Sequence, residues 1–329
     1  MPATIRDVAR RAGVSIATVS RVMRDSADVR PDTAHRVLAA ATELRYTPSQ
    51  LGRQLAERRH AANGIVFPDL SGPYYAEVVL GYEAVASELR RSVLILSTHG
   101  RADAESAVRQ TAARCDGLVV LGRTVSDAVV EDLAEAGARI VLVARPPIGR
   151  VDSVNAENSE AARALARHLV EQGSRRITFV GDPDVSPDVH ERWRGVHEVA
   201  TDARLGADVQ LVAVDHLHET VGTQVAAAAL RDGDLPDAFV CANDELALGV
   251  LGELGRAGVD VPGQVLVTGW DDVMAARYAG LTTVRQPMRE LGATAARLLD
   301  ELISGRTDPR HELLPTELVI RSTTRKETR

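Results

Sequence analysis

Residues 4–23 read TIRDVARRAGVSIATVSRVM. Thr4 stands just before Ile5 as an N-cap, and Asp7 occupies the third helical position, a capping box with Asp in place of Glu. The helix so opened runs to Ala12, and Gly13 supplies the stop. Ser15 caps a second helix, Ile16 to Met23. Ala9, Gly13 and Val19 fall where two steeply crossing helices need a small residue, a turn and a core contact, which is the helix-turn-helix arrangement. The second helix then exposes Ser15, Ile16, Ala17, Ser20 and Arg21, and its N-terminal end suits a DNA major groove. Ser15 and the free amides beside it can hold a phosphate. Arg21 can reach guanine O6 and N7 with two hydrogen bonds, whereas Ile16 and Ala17 can read only methyl groups and shape. The plainer alternative is a small helical bundle for protein contact, with its Arg residues on a solvated face.

Charge sides with the first reading. Residues 1–60 hold eleven Arg and no Lys against six Asp or Glu, a net +5, while the remainder carries 28 basic against 40 acidic side chains. The overall −7 therefore hides a basic head on an acidic body, as expected of a protein that touches a polyanion at one end. Within the head, Pro31 opens a third helix whose buried side is expected to be Val37, Leu38, Ala41 and Leu44, and Pro48 and Ser49 start a fourth stretch, Gln50 to Glu57.

From residue 62 the pattern changes to apolar β-rich runs separated by amphipathic helices. The runs are Gly64–Phe67, Val93–Ser97, Gly117–Leu121, Ile140–Val143, Ile177–Val180, Val209–Val214, Ala238–Cys241 and Val265–Thr268. Helical stretches such as Tyr75–Leu89, Ser159–Glu171, Glu245–Ala257 and Glu290–Ile303 lie between or after them. This alternation predicts parallel sheet with helices on both faces, and about eight strands fit two doubly wound lobes better than one sheet. The 329 residues suit about two units. No apolar run reaches 18 residues, and the start MPATIRDVARRAGV has no secretory h-region. Cys115 and Cys241 lie far apart in apolar surroundings without metal-ligand spacing, so they read as reduced, buried thiols. The expected compartment is the cytoplasm, at the nucleoid, and no cofactor or metal is expected.

The runs IRDVARRAGVSIATVSRVM and VRPDTAHRVLAAATELRYTPSQLGRQLAERR resemble the head of the LacI/GalR (lactose-repressor/galactose-repressor) family of transcription regulators. The resemblance implies that Ile16, Ala17 and Arg21 read bases, and that Thr4, Ser15, Thr18, Ser20, Thr33 and Tyr46 contact the DNA backbone. It also implies a hinge helix near residues 49–57, with Leu55 wedged into the minor groove at a central base step. Three residues depart from the family pattern: Arg24 for Asn, Arg30 for a Ser cap, and Gly52 for Ala in the hinge. A mid-helix Gly costs about 0.5–1 kcal/mol relative to Ala, so the hinge is expected to form only on DNA. The implied division is a head at 1–48, a hinge helix and linker at 49–61, and an effector-binding and dimerisation domain at 62–329. That domain would be periplasmic-binding-protein-like, with lobe 1 at about 62–154 and 286–312 and lobe 2 at about 155–285 and 313–325.

In the body, HERWRG (190–195), CANDELALG (241–249) and VTGWDDV (267–273) place polar groups after strands, where a doubly wound lobe opens its crevice. Arg192, Asn243 and Asp271 with the indole of Trp270 suit a polyol: hydrogen bonds to hydroxyls and an aromatic face for the ring. Asp244 and Asp272 read better as caps of the following helices. The family resemblance extends over the body and implies ligand contacts from Arg192, Asn243 and Asp271, with His216 and Met288 as wall residues. It also implies that PDLSGPYYAE (68–77) lines the cleft through Ser71, Tyr74 and Tyr75. Glu157 replaces the family's usual Asp in the string NAEN, and His216 stands where a large aromatic is common.

The resulting expectation is a sequence-specific DNA-binding regulator, a repressor whose operator affinity responds to a small effector, a sugar. Two rivals are a two-lobed sugar-binding protein for transport and a sugar-acting enzyme using Asp271 and Asp272. The basic head and absent secretory signal weigh against the first. The adjacency of the two carboxylates weighs against the second, since acid and base must flank one bond. A symmetric, pseudo-palindromic operator predicts a homodimer, joined through the helices Tyr75–Leu89 and Ala104–Arg114. No apolar residue follows Ile320, so no heptad tail for a tetramer is expected.

Overall fold

The computed structural model describes residues 3–23, 29–46, 62–202 and 204–325. The chain forms two compact units, residues 1–60 and 61–329. In the first unit the described helices are α1 (Ile5–Ala12), α2 (Ile16–Val22) and α3 (Pro31–Glu43). The Asp7 carboxylate accepts from the Thr4 backbone N–H at 3.0 Å and from its hydroxyl at 2.7 Å, which draws the Asp7 pKa down. Gly13 ends α1 in the left-handed region at φ 67°. Ser15 caps α2 by accepting from the Thr18 amide at 3.1 Å. The core of the head is Val8, Ala9, Ala12, Val19, Val22, Val37, Ala40 and Ala41. Leu38, expected inside, is instead 49% exposed. The buried stripe of α3 runs 37, 40, 41 and 44, the i, i+3, i+4, i+7 spacing of one face, and 38 lies off it. The stretch Gln50–Glu57, with Gly52 and Leu55, lies outside the described residues.

The second unit holds two parallel sheets. Strands β1 (Ala62–Phe67), β2 (Ser92–Ser97), β3 (Gly117–Leu121), β4 (Ile140–Val143), β5 (Asp152–Ala156) and β11 (His311–Leu314) lie in the order β11-β5-β4-β3-β1-β2. Alternation along β3 sends Val119 and Leu121 to one face and Leu118 and Val120 to the other. The first face packs on α4 (Pro73–Glu88) and α12 (Met288–Ile303), and the second on α5 (Ala104–Ala112) and α6 (Asp127–Glu135). The second sheet has β6 (Arg176–Val180), β7 (Asp208–Val212), β8 (Ala238–Cys241) and β9 (Leu266–Thr268) in the order β7-β6-β8-β9. Its helices are α7 (Ser159–Glu171), α8 (Pro187–Ala200), α9 (Glu219–Asp232) and α10 (Asp244–Arg256). Short α11 (Met274–Tyr278) precedes an antiparallel pair of β10 (Thr283–Arg285) and β12 (Glu317–Val319).

The chain passes between the lobes three times: after β5, after β10 and between β11 and β12. Ion pairs pin two of these regions. Arg306 bridges Asp152 at the start of β5 to Glu301 on α12. The buried Asp272 carboxylate takes Arg285 at 2.7 Å and Arg321 at 2.6 Å, tying β10 to the strap after β12.

In each lobe a pair of helices comes close enough to touch backbone to backbone. A Cβ on Gly81 of α4 would sit 1.9 Å from the Arg289 carbonyl oxygen, and one on Gly292 of α12 would sit 2.0 Å from that of Val78. In the second lobe, a Cβ on Gly222 of α9 or Gly249 of α10 would sit 2.0 and 1.9 Å from the Leu246 and Glu219 carbonyl oxygens. Gly249→Ala forces α9 and α10 apart and is expected to cost about 1–3 kcal/mol. Urea denaturation checks it; an unchanged midpoint would show that the pair has slack.

Candidate functional site

Both sheets follow the order in which the second strand lies outside the first and the third lies on its other side, so each has a switch point, at β1/β3 and β6/β8. The segments leaving the strands' C-terminal ends border a common cavity of about 320 Å³. From the first lobe come the loop after β1, with Asp69 and Ser71, and the start of α4, with Tyr74 and Tyr75. From the second come Asp188 and Arg192 on α8, His216 and His218 after β7, Asn243 and Glu245 at α10, and Asp271 after β9. Gln286 joins them from the crossing after β10. The volume suits a monosaccharide-sized guest.

Arg192 is the centre of the polar wall. It is 5% exposed, donates from Nε to Asn158 and from Nη1 to the Ala242 carbonyl, both at 2.8 Å, and holds Nη2 3.7 Å from Asp188. Its guanidinium lies 4.5 Å from the ring centroid of Trp270. Burial pushes the Asp188 pKa up against the pull of Arg192. Burial likewise raises Asp271 to about 7, opposed by Arg192 and by Gln286, whose Nε2 donates to Asp271 at 2.6 Å. Glu245 is raised by burial too. Tyr75, packed edge-on against Tyr74 with centroids 5.3 Å apart, is pushed up to about 12 by burial. Two buried polar atoms beside the cavity have no hydrogen-bond partner, the Tyr74 hydroxyl and Gln286 Oε1. Both are groups that a hydroxylated guest can satisfy.

Of the residues singled out in the sequence, Ser71, Tyr74, Tyr75, Arg192, His216, Asn243 and Asp271 line this cavity. Trp270 and Met288 do not. The backbone bend after β9 turns Trp270 into the second-lobe core, with Asp271 facing the cavity, so its ring carries Arg192 instead of facing the opening. Met288 begins α12 inside the first-lobe core. The capping assignments also change. Asn243, not Asp244, caps α10 by accepting from the Leu246 amide at 3.0 Å, while its Nδ2 donates to Leu217. Asp244 is buried and accepts from the Val273 amide and the Thr283 hydroxyl. Asp272 holds Arg285 and Arg321, with Arg277 at 4.0 Å, and caps no helix. Asp188, Glu245 and Gln286 were missed. Asp188 precedes Arg192 by four residues, one helical turn on the same face, which was a readable signal.

On the head, Ser15, Ile16, Ala17 and Arg21 are exposed, and Thr18, Ser20, Thr33 and Tyr46 are half-buried. Ile16 is 46% exposed, which an apolar side chain on a helix of this head has no packing reason to be. Arg21 has no hydrogen-bond or ion-pair partner among the described residues. The Thr4 hydroxyl is engaged with Asp7, and those of Ser15 and Thr18 are 2.9 Å apart. Leu55 lies outside the described residues.

Comparison with known proteins gives two family matches: bacterial regulatory proteins, lacI family, over residues 4–49, and the periplasmic binding protein-like domain over residues 166–324. The HTH-type transcriptional regulator GalR of Salmonella typhimurium is 34% identical over 301 residues, covering 90% of this chain and 88% of the relative. The crystal structure of the lac repressor dimer bound to operator and the anti-inducer ONPF matches with a TM-score of 0.88 at 28% identity, over 99% of this chain and 100% of that one. A complex of the transcriptional regulator CelR with cellobiose matches with a TM-score of 0.72 at 29% identity, over 98% and 99%.

The Asp271 carboxyl supplies a test of the polar wall. The folded chain holds its proton up to about pH 7, whereas an unfolded Asp releases it near 3.9, so folding takes up a proton between these values. Stability tied to this group is therefore lost as pH rises through that window. Asp271→Asn is expected to gain on wild type in urea from about pH 4 to pH 7, by at most about 1.4 kcal/mol per pH unit, and to level off above. A difference flat across the window would mean that Asp271 ionises as an ordinary carboxylate.

Proposed function

The chain belongs to the lacI family of bacterial regulatory proteins and is a DNA-binding transcriptional regulator; from that premise we propose that it is a repressor whose grip on a pseudo-palindromic operator is set by a sugar-like ligand in the cavity of its second unit. The observation that carries the ligand half is the cavity itself: strand-end polar groups from both lobes, with the Tyr74 hydroxyl and Gln286 Oε1 lacking partners. Solved relatives with cellobiose and with ONPF bound support a carbohydrate-sized guest. A ligand that bridges the lobes favours one lobe arrangement over another and shifts operator affinity by that difference.

On DNA, Ile16, Ala17 and Arg21 read base edges, and Thr4, Ser15, Thr18, Ser20, Thr33 and Tyr46 meet the phosphates. Residues 49–61 form the hinge and linker, with Leu55 as the wedge, between a head at 1–48 and the body at 62–329. The protein acts in the cytoplasm, at the nucleoid, as a homodimer. Leu80 on α4 and Ile95 on edge strand β2, 50% and 48% exposed, support an interface on the first lobe. The outer face of α5 is Glu105, Ser106, Arg109 and Gln110, so α4 suits the contact better than α5. An enzyme using Asp271 and Asp272 has no support, because the first faces the cavity and the second is locked between two arginines.

The test is fluorescence anisotropy on a duplex that the protein itself selects from random sequence, with and without sugars that raise its melting temperature. A stabilising sugar is expected to change operator affinity at least fivefold, about 1 kcal/mol of coupling; stabilisation without any change in DNA binding would sink the regulatory reading. In the same assay Arg21→Ala is expected to cost about 1–3 kcal/mol per contact and to relax base preference at one position per half-site. Equal weakening on every sequence would assign Arg21 to the phosphates.

A further inference from the structure

Carboxylates dominate the cavity. Asp69, Asp188, Asp215, Glu245 and Asp271 border it, against the guanidinium groups of Arg123 and Arg192. The buried cation, Arg192, is not open to an anion. Arg192 spends Nε and Nη1 on Asn158 and the Ala242 carbonyl and turns Nη2 to Asp188. Arg123 is exposed and donates from Nη1 to the Asp184 carbonyl at 3.0 Å. The partly buried Asp188 and the buried Asp271 thus both feel one guanidinium, with Glu245 acting on Asp271 as a further negative charge. His216 and His218, with ring centroids 5.8 Å apart, also border the cavity.

The second observation is Gln286. It is 4% exposed, its Nε2 donates one hydrogen bond to Asp271, and its Oε1 has no partner. An unpartnered amide oxygen beside surplus carboxylates is a set of acceptors, and a protonated amine offers only donors, three if primary and two if secondary. A buried negative charge is costly unless an opposite charge meets it, and a phosphate guest would add to the surplus.

We infer that the ligand of this cavity carries a protonated amine, as an amino sugar or iminosugar does, and that the amine is held among Asp188, Asp271, Glu245 and Gln286. The inference rests on the polyol reading of the cavity given above. Arg192 is then a support for the carboxylates, and the ligand's hydroxyl groups meet Asn243, Tyr74 and the histidines.

The test is isothermal titration of the full chain with matched probes: glucose and galactose, their 2-amino-2-deoxy forms, the N-acetylated forms of these, 1-deoxynojirimycin and its galacto isomer, and glucose 6-phosphate. At least one amine is expected to bind about tenfold or more tighter than both its neutral parent and its N-acetyl form, with no measurable binding of the phosphate. In Asp188→Asn that ratio is expected to fall toward one. Glu245→Gln serves as a second variant, and DNA binding reports that each has folded. A neutral sugar that binds as well as its amine, a bound phosphate, or a ratio unmoved in both variants overturns the inference and leaves the polyol reading standing. If no probe of any charge binds, the polyol reading fails and the inference fails with it.

Discussion

A guanidinium buried between two lobes has to be bonded on every side, and the second unit is organised around meeting that demand at Arg192. Asn158 comes from the turn where the chain first crosses into the second lobe, the Ala242 carbonyl from the end of β8, Asp188 from the helix that carries Arg192, and Trp270 from the end of β9. Four segments of sequence are thereby fixed at one charge. The ends of β8 and β9 are also where Asn243 and Asp271 leave the sheet, so the group that holds the segments together aims the cavity side chains as well. Removal of a charge so placed leaves its carboxylate partners uncompensated, which is costlier than loss of an exposed pair.

The regular elements were readable because their signals are local. The head's caps, its glycine stop and its proline start lie within a few residues of the helices they bound, and α1 and α7 have the bounds expected from them. The central strands β3, β4 and β8 are runs of apolar residues buried on both faces. Strands β10, β11 and β12 carried no such signal. They are three or four residues long, and His311–Leu314 is largely exposed. Their pairing comes from partners far off in sequence, β5 for β11 and β10 for β12, which a local pattern cannot reveal.

The site was legible at the level of strings and less so at the level of atoms. Residues after strand ends gave Arg192, Asn243 and Asp271, since topology alone sends such positions to the crevice. The errors came from neighbours. Trp270 and Asp271 are adjacent, yet the backbone turns one into the core and the other out, and Asp271 takes φ 114° as it does so. The cap of α10 fell to Asn243 and not Asp244 because which side chain reaches the helix amides depends on where the strand stops, a matter of one residue. Gln286 escaped notice because nothing beside it in sequence hints that the second chain crossing passes the cavity.

The threefold passage of the chain between lobes has a consequence in time. The first-lobe sheet is nearly complete at Ala156, but α12, which covers one of its faces, ends at Ile303, and the edge partner of β5 arrives only at His311. At common rates of protein synthesis the intervening stretch takes on the order of ten seconds to emerge. For that interval Val119, Val141 and Val154 have only part of their final cover, and β5 presents an open edge, while the whole second-lobe sheet is being made. The lobe that begins first therefore waits for its edge strand until the second-lobe sheet has been made, and the nascent chain must be kept from pairing through that edge until its own distant strand reaches it.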